Sequence, residues 1–240
     1  MAPWEQAPAR PALAAGEVHV FRLRIAPRPA PSVLSPDERA RADRFVFDRD
    51  RIQFAETRAA LRRLLAGLLG RDPAAIAFAE GPHGKPRLAG PEGERLRFNV
   101  SHTGALALLA VALAREVGVD VERHRAETDV DELAAVVCEG GELAAFRALP
   151  AGARRAAFYA LWAGKEAVLK ALGSGLAVSP RRLTLPPPPW VAPCLARIAG
   201  IPGDGAVFQV RPLDAGRDVS AAIACAGEAP AALRLFDLAP

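Results

Sequence analysis

The sequence predicts an α+β protein built as a duplication: two similar halves in one chain, each with helices and about three antiparallel strands, divided near Arg115. Two observations carry this. Helical patterns with a period of about 3.6 residues and short period-two runs recur in both halves, although no sequence repeat is visible. The length of 240 residues, with 51% hydrophobic and 24% charged residues, suits one large globular domain or two domains of roughly half that size. The halves are assigned as 1–115 and 116–240.

In the first half, residues 1–16 are expected to be loose, with Pro3, Pro8 and Pro11 among them. Val18 to Ile25 alternates in period two and reads as a strand. Ser35-Pro-Asp-Glu38 is a capping box with proline at the first helical position, and opens a short Arg-rich helix through Arg39, Arg41 and Arg44 to Phe45. A second helix runs from about Asp50 to Leu69 and stops at Gly70. Ile76 to Phe78 reads as a strand, and Gly81-Pro-His-Gly-Lys-Pro86 is turn chemistry that presents Lys85. Leu96 to Val100 reads as a strand that ends in Ser101-His-Thr-Gly104, before the apolar strand Ala105 to Ala114. That polar turn places His102 and two hydroxyls at a sheet edge, where they either meet a ligand or hold structure.

In the second half, Val117-Gly-Val-Asp-Val-Glu122 has valine at alternate positions, so Gly118, Asp120 and Glu122 share the opposite face. The two carboxylates then stand about 7 Å apart. They suit Mg²⁺, which takes one or two protein carboxylates and completes its shell with water and phosphate oxygens; the alternative is a wet outer strand face. Asp129 to Cys138 and Glu142 to Leu149 read as helix on either side of Gly140-Gly141. From Phe158 to Leu176 comes one long helix closed by Gly173 and Gly175. Phe158, Leu161, Trp162, Val168, Leu169 and Leu172 form its apolar arc, with Lys165 in mid-arc and Glu166 and Lys170 at the edge. Three charges so placed mark a wall of a site rather than plain core. Arg182 to Leu185, Ala206 to Arg211, Val219 to Cys225 and Ala232 to Leu238 are strand candidates, and Pro186 to Pro189 is a stiff connector.

The net charge is +4 with a pI near 9.4, which favours an anionic partner. Among 31 basic residues only Lys85, Lys165 and Lys170 are lysine, the compact point charge suited to phosphate. Three widely spaced cysteines indicate neither a disulfide framework nor a zinc site. The longest apolar run has ten residues, where a membrane helix needs about 20, and no basic, apolar leader opens the chain, so a cytoplasmic protein is expected. A metal-dependent nuclease is disfavoured because Lys165 precedes Glu166 directly on a helix. A nucleic-acid-binding module is disfavoured because aromatics are only 6% and are not interleaved with the arginines.

Phe98-Asn-Val-Ser-His-Thr-Gly104, Val117-Gly-Val-Asp-Val-Glu122 and Trp162-Ala-Gly-Lys-Glu-Ala-Val-Leu-Lys170 with Gly173-Ser-Gly-Leu176 resemble, in order and spacing, the three signatures of the Sfp-type 4′-phosphopantetheinyl transferases. Leu34-Ser-Pro, the stretch from Arg44 to Arg51 and Gly84-Lys-Pro86 extend the likeness over roughly residues 34–180. The resemblance implies a pseudo-twofold pair of α+β halves with a coenzyme A site in the cleft between them. It implies transfer of phosphopantetheine from coenzyme A, as co-substrate, to a serine of an apo acyl or peptidyl carrier protein, with release of adenosine 3′,5′-bisphosphate. By the same resemblance Asp120, Glu122 and Glu166 hold Mg²⁺, or Mn²⁺, against the pyrophosphate. Lys165, Ser101, His102 and Lys85 contact phosphates, and Arg41, Arg44 or their neighbours take the 3′-phosphate. Glu166 is the candidate base, Lys170 assists the leaving group, and Glu142 either assists the metal or is simply exposed. A monomer, with no nucleic-acid or membrane partner, completes the expectation.

Overall fold

Alternation decides the architecture. Along the strands of the first half, even-numbered residues (Val18, Val20, Leu108, Ala110) point to one side and odd-numbered ones (Phe21, Leu109, Val111) to the other, and both sides are buried. A sheet that is apolar on both faces must be covered on both. The computed structural model describes residues 3–8, 10–27, 31–81, 83–186, 188–190, 193–199, 207–229 and 231–239. In it two five-stranded sheets lie face to face with helices outside.

The first part contains β1 (Glu5–Gln6), β2 (Glu17–Arg24), α1 (Pro36–Ala42), α2 (Asp48–Leu69), β3 (Phe78–Glu80), β4 (Pro86–Leu88), α3 (Glu92–Arg95), β5 (Leu96–Thr103) and β6 (Leu106–Leu113). The second contains β7 (Val117–Arg123), α4 (Val130–Val137), α5 (Gly140–Arg147), α6 (Ala151–Leu172), β8 (Leu183–Thr184), β9 (Cys194–Ile198), β10 (Val207–Leu213), β11 (Val219–Ala226) and β12 (Ala232–Asp237). One sheet runs β1-β12-β2-β6-β5 and the other β7-β11-β10-β9-β8, while β3 and β4 pair separately. Leu61, Leu64 and Leu65 of α2 cover the outer face of the first sheet, and Phe158, Leu161 and Val168 of α6 cover that of the second. Between the sheets, Val117, Val119, Val121 and Ile223 meet Val18, Val20 and Leu108.

Several boundaries and one topology differ from expectation. The capping box at Ser35 forms in both directions, with Ser35 Oγ accepting from Glu38 N–H and the Glu38 carboxylate from Ser35 N–H. Residues 1–16 are not all loose: Glu5–Gln6 pairs in parallel with Phe236–Asp237. The last strand does not stay with residues 116–240. β12 inserts between β1 and β2 of the first sheet, where Phe236 stacks on Phe21 at 5.1 Å and Asp237 accepts two hydrogen bonds from Arg22 at 2.7 and 2.9 Å. β12, expected with residues 116–240, therefore belongs to the sheet of the first 115 residues. Each sheet has five strands rather than three, and β9 went unpredicted. Ile76 is buried just before its strand, which begins at Phe78; the expected strand start at Ala206 lies outside the described residues. Among the described residues no helix is long and apolar enough to cross a membrane.

Candidate active site

The two sheets meet edge to edge along β5 and β7, and the joint is made by side chains. Asn99 Oδ1 accepts from Val119 N–H at 2.9 Å, Ser101 Oγ from Val121 N–H at 3.3 Å, and Thr103 Oγ1 from Arg123 N–H at 3.3 Å. Every second residue of β5 satisfies every second amide of β7, so two strand periods in register hold one half against the other. This brings the Asn-Val-Ser-His-Thr stretch beside the Asp120–Glu122 face. Sequence reasoning missed Asn99, whose signal is the alternation of polar residues at 99, 101 and 103; the Thr103 hydroxyl holds structure, one of the two roles open to that turn.

The other wall is α6. A Cβ on Gly118 would lie 2.1 Å from the carbonyl oxygen of Ala167 and 2.3 Å from the amide nitrogen of Ala171, so only glycine lets the helix backbone lie directly on β7. The face shared by Gly118, Asp120 and Glu122 is thus covered by α6 rather than wet. The helix ends at Gly173 in the left-handed conformation, φ 73°.

Asp120 is 2% exposed. Its Oδ1 accepts from Ser101 Oγ at 2.8 Å and from Lys170 Nζ at 2.5 Å, and Lys170 Nζ also donates to Ser101 Oγ at 2.9 Å. Its Oδ2 is buried without any hydrogen-bond partner, a costly state for a carboxylate oxygen unless a cation or donor arrives. Glu122 accepts a long hydrogen bond from Trp162 Nε1 at 3.4 Å. Burial first, and then the charge of Asp120, push the carboxyls of Glu122 and Glu166 above the ordinary range. Such shifts mark carboxyls that are buried beside another acidic group. His102 stands at the rim, its imidazole held below its usual pKa by desolvation and then by Lys170. Beside Glu122 and His102 opens a cavity of about 910 Å³, also walled by Arg49, Gln53 and Arg125. Among the described residues no three His, Cys, Asp or Glu side chains are placed together so as to hold a metal ion between them.

The structure brings Ser101, His102, Asp120, Glu122, Glu166 and Lys170 together and leaves the other expected site residues elsewhere. Lys165 is a correction. Its side chain is 0% exposed and turns to the far side of α6, where Nζ donates to Glu142 at 2.6 Å, to Val137 O at 2.8 Å and to Pro180 O at 3.1 Å. It cannot reach a phosphate in the cleft. Glu142 is neither exposed nor near the carboxylates: its second oxygen accepts from Leu185 N–H at 2.9 Å. Lys85 lines a neighbouring cavity of about 360 Å³ and donates to Glu116 at 2.8 Å and to Ala171 O at 2.9 Å, with burial lowering its pKa. Arg41 lies over the Phe54 ring at 5.0 Å and lines a third cavity, of about 730 Å³, together with Arg58 and Arg62; Arg44 is exposed in the turn after α1. Arg58 and Arg62 both pair with Glu38, at 3.4 and 2.7 Å, so the acidic residue in α1 serves to hold two arginines at this cavity.

A family model described as 4′-phosphopantetheinyl transferase, N-terminal, matches residues 28–114, and one described as the 4′-phosphopantetheinyl transferase superfamily matches residues 116–224. The chain is 37% identical over 180 residues to the 4′-phosphopantetheinyl transferase HetI of Nostoc, covering 72% of this chain and 76% of that one. The chain belongs to the 4′-phosphopantetheinyl transferase superfamily. It is also 36% identical over 145 residues to a putative 4′-phosphopantetheinyl transferase of Synechocystis, covering 60% of this chain and 59% of the relative. To a 4′-phosphopantetheinyl transferase of Bacillus subtilis it is 28% identical over 147 residues, covering 61% and 63%. It is thus a transferase, and spans less than two thirds of the last two relatives. The two family matches abut at the end of β6, beside the β5–β7 seam.

Proposed function

We propose that this transferase moves the phosphopantetheine group of coenzyme A onto a serine hydroxyl of an apo acyl or peptidyl carrier protein and releases adenosine 3′,5′-bisphosphate. The observation that carries the reading is Asp120, buried with one oxygen on Lys170 and the other unpartnered, beside two carboxyls that burial and then the charge of Asp120 push up. Such a site lacks cations and gains most from a metal–pyrophosphate ligand, which brings charge of both signs.

The residues fit a hard divalent ion. Asp120 through its free oxygen, with Glu122 and Glu166 moving in beside it, would hold Mg²⁺, or Mn²⁺ on the same oxygen ligands, with water and phosphate oxygens filling the rest of the shell. When bound, the ion neutralises pyrophosphate charge. The chain's own groups do the rest. Ser101 does not contact phosphate, because its hydroxyl is fully used by Asp120, Lys170 and the Val121 amide and holds that cluster from β5; His102 stands at the rim, Lys85 stands close to the end of α6, and Arg41 with Arg58 lines a cavity suited to the 3′-phosphate. The carrier serine oxygen attacks the β-phosphorus in line: its bond to phosphorus forms while the bond to the bridging oxygen breaks. The serine proton passes to Glu166, or to a water it orients. Lys170 meets the charge that develops on the leaving adenosine 3′,5′-bisphosphate. Both walls come from one chain, so a monomer suffices. Incubation with coenzyme A, Mg²⁺ and a panel of apo carriers should add the mass of one phosphopantetheine group to at least one of them; no mass gain on any carrier refutes the reading.

A further inference from the structure

Lys165 and Glu142 form a buried ion pair that contacts nothing in the cleft, yet Lys165 directly precedes Glu166. Every polar atom of the pair is used. The ammonium spends its three protons on Glu142, on Val137 O at the end of α4 and on Pro180 O beyond the glycine turn, and Glu142 takes the Leu185 amide with its other oxygen. Four segments of the chain therefore converge on one nitrogen and one carboxylate. Replacing a buried pair of this kind by apolar side chains is commonly neutral or stabilising, so stability does not account for charge in a helix face already lined by Leu161, Val168 and Leu169. Apolar packing is non-directional, whereas an ammonium–carboxylate contact of 2.6 Å fixes both direction and distance.

Accepting the transferase reading above, we propose that the Lys165–Glu142 pair is a positioning device: it sets the roll and slide of α6 from its far side, as Gly118 sets its approach from the near side, so that Glu166 and Lys170 meet Asp120. Neither residue touches substrate. The pair acts through the next residue along the helix, turned about 100° from Lys165. A misplacement of about 1 Å at reacting groups can cost on the order of 10²-fold in rate.

The test separates positioning from stability. Lys165→Met/Glu142→Leu is expected to recover the wild-type melting temperature while kcat stays down about tenfold or more and KM for coenzyme A changes less than about threefold. Recovery of kcat together with stability overturns the proposal. If that variant does not fold, Glu142→Asp decides, measured per folded molecule. Asp keeps the charge but is too short for both contacts and should lose kcat about tenfold, with KM for coenzyme A changed less than about threefold. A kcat equal to wild type overturns the proposal. A crystal structure of Glu142→Asp should show the Glu166 carboxylate displaced from Asp120 by about 1 Å, and superposable positions contradict it whatever the activity. A wild-type enzyme idle toward every carrier sinks the transferase reading, and the Glu166 position still judges the ion pair.

Discussion

Lys165 and Lys170 stand five residues apart on the same helix, and their surroundings send them to opposite fates. Lys165 is sealed among α4, α5 and the turn at Pro180, with three protein acceptors and no access to solvent. Lys170 keeps 30% of its side chain exposed, with Asp120 and Ser101 beneath it and the cleft above. The difference lies in the opposing elements. On one side α5 brings a single carboxylate that pairs fully with the ammonium; on the other, β7 brings two carboxylates and α6 a third, which one lysine cannot neutralise. A surplus of buried negative charge makes a site, and a balanced pair makes a joint.

That contrast can be broken from either side. Asp120→Asn should have the largest effect, a loss of about 10²–10³ in kcat/KM with the fold retained, because it removes charge from the most buried member of the cluster; it is read by carrier modification rates. Lys165→Met strands Glu142 in the interior and should lower unfolding free energy by about 3–5 kcal/mol, measured by urea denaturation. Gly118→Ala forces a methyl against the backbone of α6 and should destabilise by about 1–3 kcal/mol while also reducing kcat. The smallest effect lies at Cys138, next to the buried pair, where burial pushes the thiol up to about 12. Its folded pKa lies above the unfolded value near 9, so its contribution is intact below about pH 9 and is lost as pH rises from there toward 12. Relative to Cys138→Ala, the wild type should lose about 1.4 kcal/mol per pH unit in that window. A constant gap between the two proteins at pH 8 and pH 10 would show that the interior around Lys165 is open to water.

Much of the site was legible because it depends on local periodicity. Valine alternation placed Asp120 and Glu122 on one face, and the 3.6-residue arc set Glu166 and Lys170 at its edge. Lys165 was misread because an arc shows that a residue is buried without showing what it is buried against; the acceptors lie at positions 137, 142 and 180, out of reach of any local pattern. The same holds for the fold. Strand existence followed from alternation, but the insertion of β12 between β1 and β2 depends on Phe236 meeting Phe21 and Asp237 meeting Arg22, more than 200 residues apart in sequence. Glu38 is legible as the capping-box acid, whereas its pairing with Arg58 and Arg62 depends on how α2 packs against α1.

The most direct test of the central claim is the transfer rate of Lys170→Met at saturating coenzyme A, followed by the mass of the carrier. The account predicts a fall of about 10²-fold in kcat per folded molecule, because this ammonium faces the reaction, together with a lower melting temperature, because buried Asp120 loses its ion-pair partner. A folded Lys170→Met enzyme that modifies its carrier at the wild-type rate would contradict it.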